Sequence, residues 1–233
     1  MDNYSDYIKN LANKLSQNKF EKSFDEPKIS VIIPAYNIED YIATCLFSII
    51  NQSFKDIEIL VIDDGSKDKT AEIVEIFGQF DKRIKLIKQE NQGAGNAKNN
   101  ALKLAVGKYI MFVDSDDCLE NNAIEIAYDT IFNQKAEVVV FGANGILDEK
   151  KAKCLYGIER TPKNILNKIV TQSEIYKNIF KLPVVAMCKI YDTSFLKNNN
   201  ILFQGTKTGE DQIFHIKTIL LAKRVFILGK NLY

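Results

Sequence analysis

Three carboxylates within four positions are the clearest candidates for chemistry in this chain. Asp114, Asp116 and Asp117 follow directly on the apolar run Tyr109 to Val113, which predicts a strand buried on both faces. Like charges placed together at the end of a buried strand are costly unless a cation or hydrogen-bond donors offset them. Oxygen ligands in an Asp-x-Asp pattern suit Mg²⁺ or Mn²⁺, usually together with substrate phosphates. The alternative is an acidic turn that caps the next helix, since Asp is a good N-cap residue.

Two more polar clusters stand where predicted strands end. The first is Pro34 to Asn37, in which the ring of Tyr36 could stack on a nucleobase or pack under a loop. The second is Asp63 to Ser66. A carboxylate of Asp63 or Asp64 could accept hydrogen bonds from a base N–H or a ribose hydroxyl. The alternative is that this second segment only makes a turn and caps the next helix.

Charged residues on two later helices complete the candidate set. Lys98 follows the turn-rich segment Asn91 to Asn96 and could place a positive charge near a phosphate, although a solvated lysine is the more frequent outcome. Asp211 stands at a predicted helix start, where it could cap the helix or act as a general base that deprotonates an attacking hydroxyl. His215, the single histidine, lies one turn further on. We expect it to serve in packing or on the surface, because one histidine at helical spacing carries little information.

These residues need a scaffold, and the chain alternates predicted strands with predicted helices from residue 29 onward. The predicted strands are Ile29–Pro34, Ile57–Ile62, Ile84–Ile87, Tyr109–Val113 and Val138–Phe141, and the predicted helices are Ile42–Ile50, Asp68–Phe77, Ala97–Ala105 and Asn122–Phe132. This alternation indicates an α/β fold with a mostly parallel, Rossmann-like central sheet and helices on both faces. Ligands bind such sheets beyond the carboxyl ends of the strands. The three strand-end clusters are therefore expected at one edge of the sheet.

The rest of the chain is less regular. Residues 142–170 are polar and lysine-rich and give no assignment. The later predictions are a strand at Val184–Tyr191, a helix at Thr193–Asn198, a helix at Asp211–Ala222 and a strand at Val225–Leu228. No linker separates two domains, so residues 28–233 are expected to form one domain. The chain stops just after the last predicted strand, which leaves a further C-terminal segment open.

Residues 1–27 are predicted to form a helical extension of this domain. Tyr7, Ile8, Leu11 and Leu15 recur at helical spacing between lysines and asparagines. We expect this amphipathic helix to pack on the domain or on a partner. The signal for peripheral binding to a membrane surface is weak.

Composition limits the class of protein. With 233 residues, 46% of them hydrophobic, the chain can bury the core of one large domain. Lys and Arg (31) nearly balance Asp and Glu (30), so composition gives no sign of nucleic-acid binding. Four separated cysteines, including Cys154, fit a reduced, cytoplasmic protein better than a disulfide framework or a zinc site. No apolar run approaches the roughly 18 residues of a transmembrane helix.

Spacing alone indicates a nucleotide-binding α/β domain with a metal-dependent site, and it leaves the reaction open. The dinucleotide fingerprint is absent, because Lys98 stands where a third glycine would follow Gly93 and Gly95. No Walker motif of the form G-x-x-x-x-G-K-[ST] occurs either. A dinucleotide oxidoreductase and a P-loop NTPase are therefore both disfavoured.

Taken together, the clusters resemble an inverting family 2 glycosyltransferase of the GT-A fold. The resemblance covers about Lys28 to Leu228 and includes the family's D-D-G-S, D-S-D-D and E-D motifs. The segments that carry it, in order, are Ser30–Asn37, Asn51–Phe54, Glu58–Ser66, Gly107–Asp117 and Gly209–Phe214. Each motif alone is weak, but five in the right order are specific. The resemblance implies residues 28–120 as the nucleotide-sugar-binding half and residues 121–233 as the acceptor-binding half.

The resemblance also implies roles for single residues. Tyr36 would stack on the nucleobase, expected to be uracil, and Asp64 would hydrogen-bond it. Asp114 would touch the ribose or the diphosphate, Asp116 would bind the metal (Mn²⁺ or Mg²⁺), and Asp211 would be the catalytic base. The other residues expected in the nucleotide-sugar site are Pro34, Asn37, Lys98 and Ser115. The implied reaction transfers a sugar with inversion to a glycan or lipid-linked acceptor, typically of a bacterial surface polysaccharide, in the cytoplasm or at the inner face of the cell membrane.

Two departures from the family pattern affect these expectations. Where the family often has A-R-N-x-G, this chain has Lys98, which keeps the charge but loses the bidentate fork of arginine. Where many members have a tryptophan before N-K-[LI]-[YF], this chain has Met187 to Tyr191, a segment expected to border the acceptor site. Two other functions stay open: a catalytically idle nucleotide-sugar-binding module, and a sugar nucleotidyltransferase. The second would need a G-x-G-T-R-type loop in place of Pro34 to Asn37.

Overall fold

The computed structural model describes residues 2–17, 19–147, 150–152, 156–206 and 209–233. The helices are α1 (Asp2–Ser16), α2 (Ile42–Ile50), α3 (Thr70–Phe80), α4 (Ala94–Leu104), α5 (Ala123–Gln134), α6 (Gln172–Asn178), α7 (Thr193–Asn198) and α8 (Glu210–Leu221). The strands are β1 (Ile29–Ala35), β2 (Ile57–Asp63), β3 (Ile84–Lys88), β4 (Tyr109–Phe112), β5 (Val138–Gly142), β6 (Gly145–Leu147), β7 (Lys150–Ala152), β8 (Lys168–Val170), β9 (Lys189–Asp192) and β10 (Val225–Asn231). No helix in the described ranges is long and apolar enough to cross a membrane.

Within the described ranges, one large sheet runs in the order β3-β2-β1-β4-β9-β5-β10-β8. The strands β3, β2, β1 and β4 are parallel neighbours, and β5 and β10 are parallel to each other. Strand β9 lies antiparallel between β4 and β5, and β8 lies antiparallel on β10. The predicted mostly parallel α/β sheet is confirmed. Because β9 joins β4 to β5, both halves of residues 28–233 contribute to a single sheet.

Helices cover both faces of this sheet, as predicted. Alternate residues of β1 point to opposite faces. Val31 belongs to a core that includes Leu46 of α2, whereas Ile32 belongs to a core that includes Ala101 of α4 and Phe214 of α8. All four residues of β4 are buried, which agrees with the apolar run that predicted it. The polar residues at the strand ends are thus held by a sheet buried on both sides.

The helix α1 packs against α3 and not outward. Its apolar residues Leu11 and Leu15 are 5% and 1% exposed and belong to the same core as α2 and α3. Further along, the N–H of Phe20 donates to the carbonyl of Phe80, and the N–H of Lys82 donates to the carbonyl of Phe20. The apolar face that a membrane-binding helix would need is therefore used inside the protein.

A buried polar cluster holds the amino ends of β1, β2 and β4. The carboxylate of Glu58 accepts hydrogen bonds from Ser30 Oγ (2.6 Å) and from the N–H of Val106 (2.9 Å), and it pairs with Lys85 Nζ (2.9 Å). Gly107 is required here because a Cβ at this position would lie 2.4 Å from the backbone nitrogen of Ser30. This cluster fixes β4 beside β1 at the end opposite to the acidic residues.

One predicted strand is wrong in extent. Residues 184–188 are not part of a strand, and β9 begins only at Lys189. The reason is the side chain of Lys189, which donates to the carbonyls of Pro183 and Val185 and holds that segment as a loop. In the unassigned region 142–170 the structure has short strands and two short 3-10 turns, Ile158–Arg160 and Lys163–Ile165. Cys154 lies outside the described residues.

Candidate active site

The predicted strand-end clusters meet at one edge of the sheet. They surround a cavity of about 310 Å³ that also receives residues from α4 and α8. Its lining residues are Pro34, Ala35, Tyr36, Asp64, Ala94, Lys98, Asp114, Ser115, Asp116, Glu210 and Asp211. Every predicted site residue except Asn37 is among them. Larger cavities, of about 400 and 710 Å³, lie elsewhere, and the predicted site residues do not line them.

Just after β1, Tyr36 is exposed to solvent, whereas Asn37 forms hydrogen bonds with the loop that follows β2. The side chain of Tyr36 is 48% exposed at the cavity, so its ring face is accessible to a ligand. Asn37 has a φ of 50°, its N–H donates to Ser66 Oγ (3.0 Å), and its Oδ1 accepts from the N–H of Lys67 (2.8 Å). The structure therefore places Asn37 as the connection between the loops that follow β1 and β2.

Asp64, at the end of β2, organises the loop that leads into α4. It is 2% exposed, and its carboxylate accepts hydrogen bonds from Gln89 Nε2 (2.7 Å) and from the N–H groups of Gln92 (2.9 Å) and Gly93 (2.8 Å). The next residue, Gly65, has a φ of 79°, a backbone conformation that favours glycine. The D-D-G-S segment is thus a turn, and Asp64 also lines the cavity.

Lys98 is a buried cation between two acidic residues. Only 3% of Lys98 is exposed, and its Nζ lies 3.2 Å from Asp211 Oδ1 and 3.8 Å from Asp114 Oδ1. Burial alone would lower the pKa of Lys98, but the charges of Asp114 and Asp211 more than offset this and raise it above its ordinary value. The solvated lysine considered above is therefore wrong. The positive charge of Lys98 lies inside the site.

The acidic strand end divides into residues with different surroundings. The side chain of Asp114 is 30% exposed, and burial raises its pKa to about 6, although Lys98 acts in the opposite direction. Asp116 is exposed at the cavity and available to a ligand. The N–H of Asp117 donates to the carbonyl of Asp114 (3.1 Å), which closes the turn. Asp117 thus has the turn role that Asp residues commonly take.

Tyr233 is a site residue that the sequence did not indicate. Its hydroxyl accepts a hydrogen bond from the N–H of Asp114 (2.8 Å), and it also hydrogen-bonds the carboxylate of Asp117. The residue is 7% exposed and follows β10, and the N–H of Glu120, just after the acidic turn, donates to the carbonyl of the adjacent Leu232. No local pattern marks a tyrosine 119 residues away as a partner of Asp114.

Asp211 lies in the first turn of α8, after Gly209, whose φ is 79°. One carboxylate oxygen contacts Lys98, and the other is 3.5 Å from the N–H of Ala186, a long hydrogen bond. Catalytic hydrogen bonds are often long in structures without substrate. Glu210 lines the same cavity next to it. A hydroxyl group that entered the cavity would meet a carboxylate whose orientation is already restricted.

His215 lies one turn after Asp211 and serves in packing, as expected. It is 1% exposed, and its Nε2 lies 3.0 Å from the carbonyl oxygen of Ile179. Burial, together with the charge of Lys189, lowers the pKa of His215 to about 3. The ring is therefore neutral near pH 7 and does not line the cavity.

Comparison with known proteins decides the family. Residues 30–188 match the family model described as "Glycosyl transferase family 2". This chain is a member of glycosyl transferase family 2. The match includes Tyr36, Asp64, Lys98 and Asp116, and it ends before α8, so Asp211 lies outside it.

Several curated proteins resemble this family 2 chain along most of its length. The putative glycosyltransferase EpsH of Bacillus subtilis is 43% identical over 215 residues, which is 90% of this chain and 60% of EpsH. Glycosyltransferase GlyA of Streptococcus pneumoniae is 34% identical over 89% of this chain and 30% of GlyA. The poly(ribitol-phosphate) β-N-acetylglucosaminyltransferase TarS of Staphylococcus aureus is 31% identical over 88% of this chain and 35% of TarS. The chain thus spans between about a third and 60% of the length of these relatives.

Solved structures agree with the family. The crystal structure of TarS residues 1–349 with UDP-GlcNAc matches with a TM-score of 0.74 and 32% identity, over 88% of this chain and 57% of that one. The mannosyltransferase PcManGT from Pyrobaculum calidifontis, solved with GDP-Man and Mn²⁺, has a TM-score of 0.62 at 17% identity over 95% of this chain and 61% of that one. That second likeness supports the fold alone. The family 2 chain therefore has the expected GT-A fold.

Proposed function

We propose that this chain transfers a sugar from a UDP-sugar to a hydroxyl group of a glycan or lipid-linked acceptor, with inversion at the anomeric carbon. One observation carries the proposal: a single cavity is lined by Tyr36, Asp64, Lys98, Asp116 and Asp211. Tyr36 and Asp64 suit a nucleobase, and Lys98 and Asp116 suit a diphosphate with its metal. Asp211 suits an acceptor hydroxyl. The family membership and the names of the relatives support a transferase, and the TarS complexes with UDP and UDP-GlcNAc support a uridine donor.

The nucleoside would bind between the loops that follow β1 and β2. The exposed face of Tyr36 suits stacking on the base, and Pro34 lines the cavity beside it. Asp64 uses three of about four acceptor positions on hydrogen bonds within the described residues, which leaves capacity for a base N–H. In this proposal Asp64 both shapes the loop before α4 and contacts the base.

The acidic strand end fits a divalent cation shared with a diphosphate. Asp114 and Asp116 offer carboxylate oxygens at the cavity, a donor set that Mg²⁺ and Mn²⁺ prefer. The described residues contain no group of three or more His, Cys, Asp or Glu that could hold an ion by themselves. Mg²⁺ typically binds through one or two carboxylates together with substrate phosphates. When bound, such an ion offsets the negative charge that develops on the departing nucleoside diphosphate.

Asp211 would act as the general base. It would remove the proton of the acceptor hydroxyl while that oxygen attacks the anomeric carbon and the diphosphate leaves from the opposite side, which inverts the configuration. Lys98, between Asp211 and Asp114, would offset the carboxylate charge and the charge of the leaving diphosphate. Ser115 lines the cavity between Asp114 and Asp116, and we assign it to the donor site.

One other function has an observation in its favour. The chain spans only about a third of GlyA and TarS, so a module that binds the nucleotide sugar without transferring it is the second candidate. The nucleotidyltransferase is less favoured, because the loop after β1 is Pro34 to Asn37, not a glycine-rich loop. We keep the cytoplasmic location, including the inner face of the cell membrane, as an expectation from the sequence.

The test measures release of nucleoside diphosphate from a panel of UDP-, GDP- and dTDP-sugars with Mn²⁺ or Mg²⁺, with acceptor glycans present. We expect release from a UDP-sugar that falls by at least about 100-fold with a chelator or in Asp116→Ala, because charge stabilisation at the leaving group is lost. Asp117→Asn is the matched control and is expected to keep its dependence on metal.

Three outcomes would point elsewhere. Unchanged turnover with chelator would refute the metal site at Asp116. Metal-dependent binding of UDP without release from any donor would favour the idle module. Formation of a nucleotide sugar from UTP and a sugar phosphate, with pyrophosphate released, would favour the nucleotidyltransferase.

A further inference from the structure

Lys189 is a buried lysine outside the cavity that the chemistry above does not use. It is fully buried on β9, and its Nζ donates to the carbonyl oxygens of Pro183 and Val185, each at 2.6 Å. Within the described residues, no carboxylate lies within 4.0 Å of this nitrogen. Burial lowers the pKa of Lys189 to about 8, although Cys188 and Asp211 act in the opposite direction.

A lysine in this position is costly to the fold. Burying a charged group without a charged partner is unfavourable, and a methionine of similar length would fill the same space without that cost. What Lys189 supplies and methionine cannot is a pair of hydrogen bonds to one short segment. That segment, residues 183–186, is bonded to β9 through Lys189 and contacts the first turn of α8 through the N–H of Ala186.

Tyr191 holds the same segment from the same strand. Its hydroxyl donates to the carbonyl of Ala186 (3.1 Å), and its ring packs edge-on against Phe112 and Phe214. Residues two apart on a strand point to one face, so Lys189 and Tyr191 contact the segment side by side. Residues 183–186 are thus held by three side-chain hydrogen bonds from β9. We call this arrangement the β9 clamp.

The segment that the β9 clamp holds also contacts Asp211. The N–H of Ala186 lies 3.5 Å from Asp211 Oδ2, while Lys98 contacts Oδ1. On the other side, His215, one turn along α8, is tied through Nε2 to the carbonyl of Ile179. The carboxylate is therefore restricted from both of its oxygens and through its own helix.

We propose that Lys189 and Tyr191 are positioning residues for Asp211: by fixing residues 183–186, they aim the N–H of Ala186 at the base. This inference rests on the proposed function, because it assumes that Asp211 is the base. Its consequence is kinetic. A misplacement of about 1 Å in a reacting group can reduce the rate about 100-fold even when the change lies away from the chemistry. Loss of the clamp should therefore lower kcat and leave donor affinity intact.

Tyr191→Phe and Lys189→Met test the inference. The first removes only the hydroxyl and keeps the ring packing; the second keeps most of the side-chain volume. We expect kcat for transfer to fall about tenfold in Tyr191→Phe and further in Lys189→Met, with donor KM and UDP affinity unchanged. Lys197→Met is the matched control, because Lys197 also donates to a backbone carbonyl, that of Ala105, and is expected to keep normal kcat.

A second readout does not depend on activity. Amide hydrogen exchange should be at least about tenfold faster at Ala186 in Lys189→Met than in the unsubstituted protein, since the clamp protects this loop. A third readout is the combination with Asp211→Asn. Once the base is absent, Tyr191→Phe should cause no further loss of transfer, because an aimed hydrogen bond has nothing left to orient.

These measurements distinguish the existence of the clamp, its positioning role and a general structural effect. Unchanged exchange at Ala186 would overturn the clamp, and an equal loss in the Asp211→Asn background would overturn the positioning role. A fall in kcat accompanied by the same fall in UDP affinity would show a general structural effect instead. If the unsubstituted protein transfers no sugar, the proposed function fails and the positioning role fails with it. The exchange measurement still shows whether the clamp exists.

Discussion

The side-chain nitrogen of Lys98 lies 3.2 Å from a carboxylate oxygen of Asp211, although the two residues are 113 positions apart. The same nitrogen is 3.8 Å from Asp114, so one buried cation links the acidic strand end to the first turn of α8. A diphosphate bound at the strand ends would compete with Asp211 for this cation. In our proposal, donor binding therefore weakens the ion pair between Lys98 and Asp211 before the acceptor reacts.

Lys98→Met tests how much this cation contributes to transfer and to UDP binding. We expect transfer to fall by at least about 100-fold, because the substitution leaves two carboxylates and the diphosphate without their buried counter-charge. UDP affinity should fall about tenfold, or about 1.4 kcal/mol. Lys98→Arg keeps the charge and should retain more activity than Lys98→Met, despite its different geometry. Steady-state kinetics and calorimetric titration of UDP with Mn²⁺ provide the measurements.

The matched control for Lys98 is Lys103→Met, an exposed position on the same helix. It removes one positive charge from α4 without touching the cavity, so its kinetics should be normal. Unchanged kcat and UDP affinity in Lys98→Met would contradict the role given to this residue.

Asp211→Asn should separate binding from transfer. The amide has the shape of the carboxylate but cannot take the acceptor proton, so we expect UDP-sugar binding to persist while kcat falls by about 1,000-fold or more. Glu210→Gln, the neighbouring acidic residue at the same cavity, is the comparison variant and should lose far less. Near-normal transfer by Asp211→Asn would show that another group is the base.

Tyr233→Phe should loosen the acidic turn. The substitution removes the acceptor of the Asp114 N–H and the hydrogen bond to Asp117 while keeping the buried ring. A buried donor left without its partner costs about 1–3 kcal/mol. We therefore expect metal-dependent UDP binding to weaken about tenfold, as measured by titration at fixed Mn²⁺. Tyr128→Phe, on α5 and away from the cavity, should bind UDP normally, and equal behaviour of the two variants would contradict this prediction.

Glu58 should make stability depend on pH through a site far from the chemistry. Burial alone would raise the pKa of Glu58, but hydrogen bonds from Ser30, Val106 and Lys85 more than offset this and lower it below its ordinary value of 4.5. A carboxyl group with a lowered folded pKa contributes stability that is fully present above the unfolded pKa. That contribution is lost as the pH falls through the folded value.

Glu58→Gln tests this dependence by chemical denaturation. We expect the free energy of unfolding to drop by about 1–2 kcal/mol at pH 7, since two hydrogen bonds and an ion pair to the carboxylate are weakened. The difference between the two proteins should shrink as the pH is lowered below about 4.5. The exposed Glu90→Gln is the control and should differ little from the unsubstituted protein at either pH. A difference that stayed constant with pH would rule out ionised Glu58 as the source.

Much of the fold followed from the sequence because the relevant signals are local. Buried parallel strands such as Ile29–Ala35 and Tyr109–Phe112 are near-continuous apolar runs, and helices such as Ala123–Gln134 repeat their apolar residues at helical spacing. Polar residues directly after such strands must lie at one edge of a parallel sheet. That rule alone predicted that Tyr36, Asp64 and Asp116 lie close together.

Other relationships depend on the tertiary structure. The apolar run Val184–Tyr191 resembled a strand along its whole length, but hydrogen bonds from Lys189 keep its first half as a loop beside Asp211. The sequence did offer one signal there: a lysine inside an apolar run must find partners if it is buried. Which partners it finds depends on how β9 is inserted between β4 and β5.

The sequence by itself therefore determined the family, the alternation of strands and helices, and the acidic strand end, because periodicity and motif order are carried by neighbouring residues. Only the tertiary structure decided that Lys98 contacts Asp211, that Tyr233 supports Asp114, and that Asn37 links two loops instead of lining the cavity. These contacts join residues 30 to 119 positions apart. Their distances are set by sheet order and helix packing, to which no local pattern gives access.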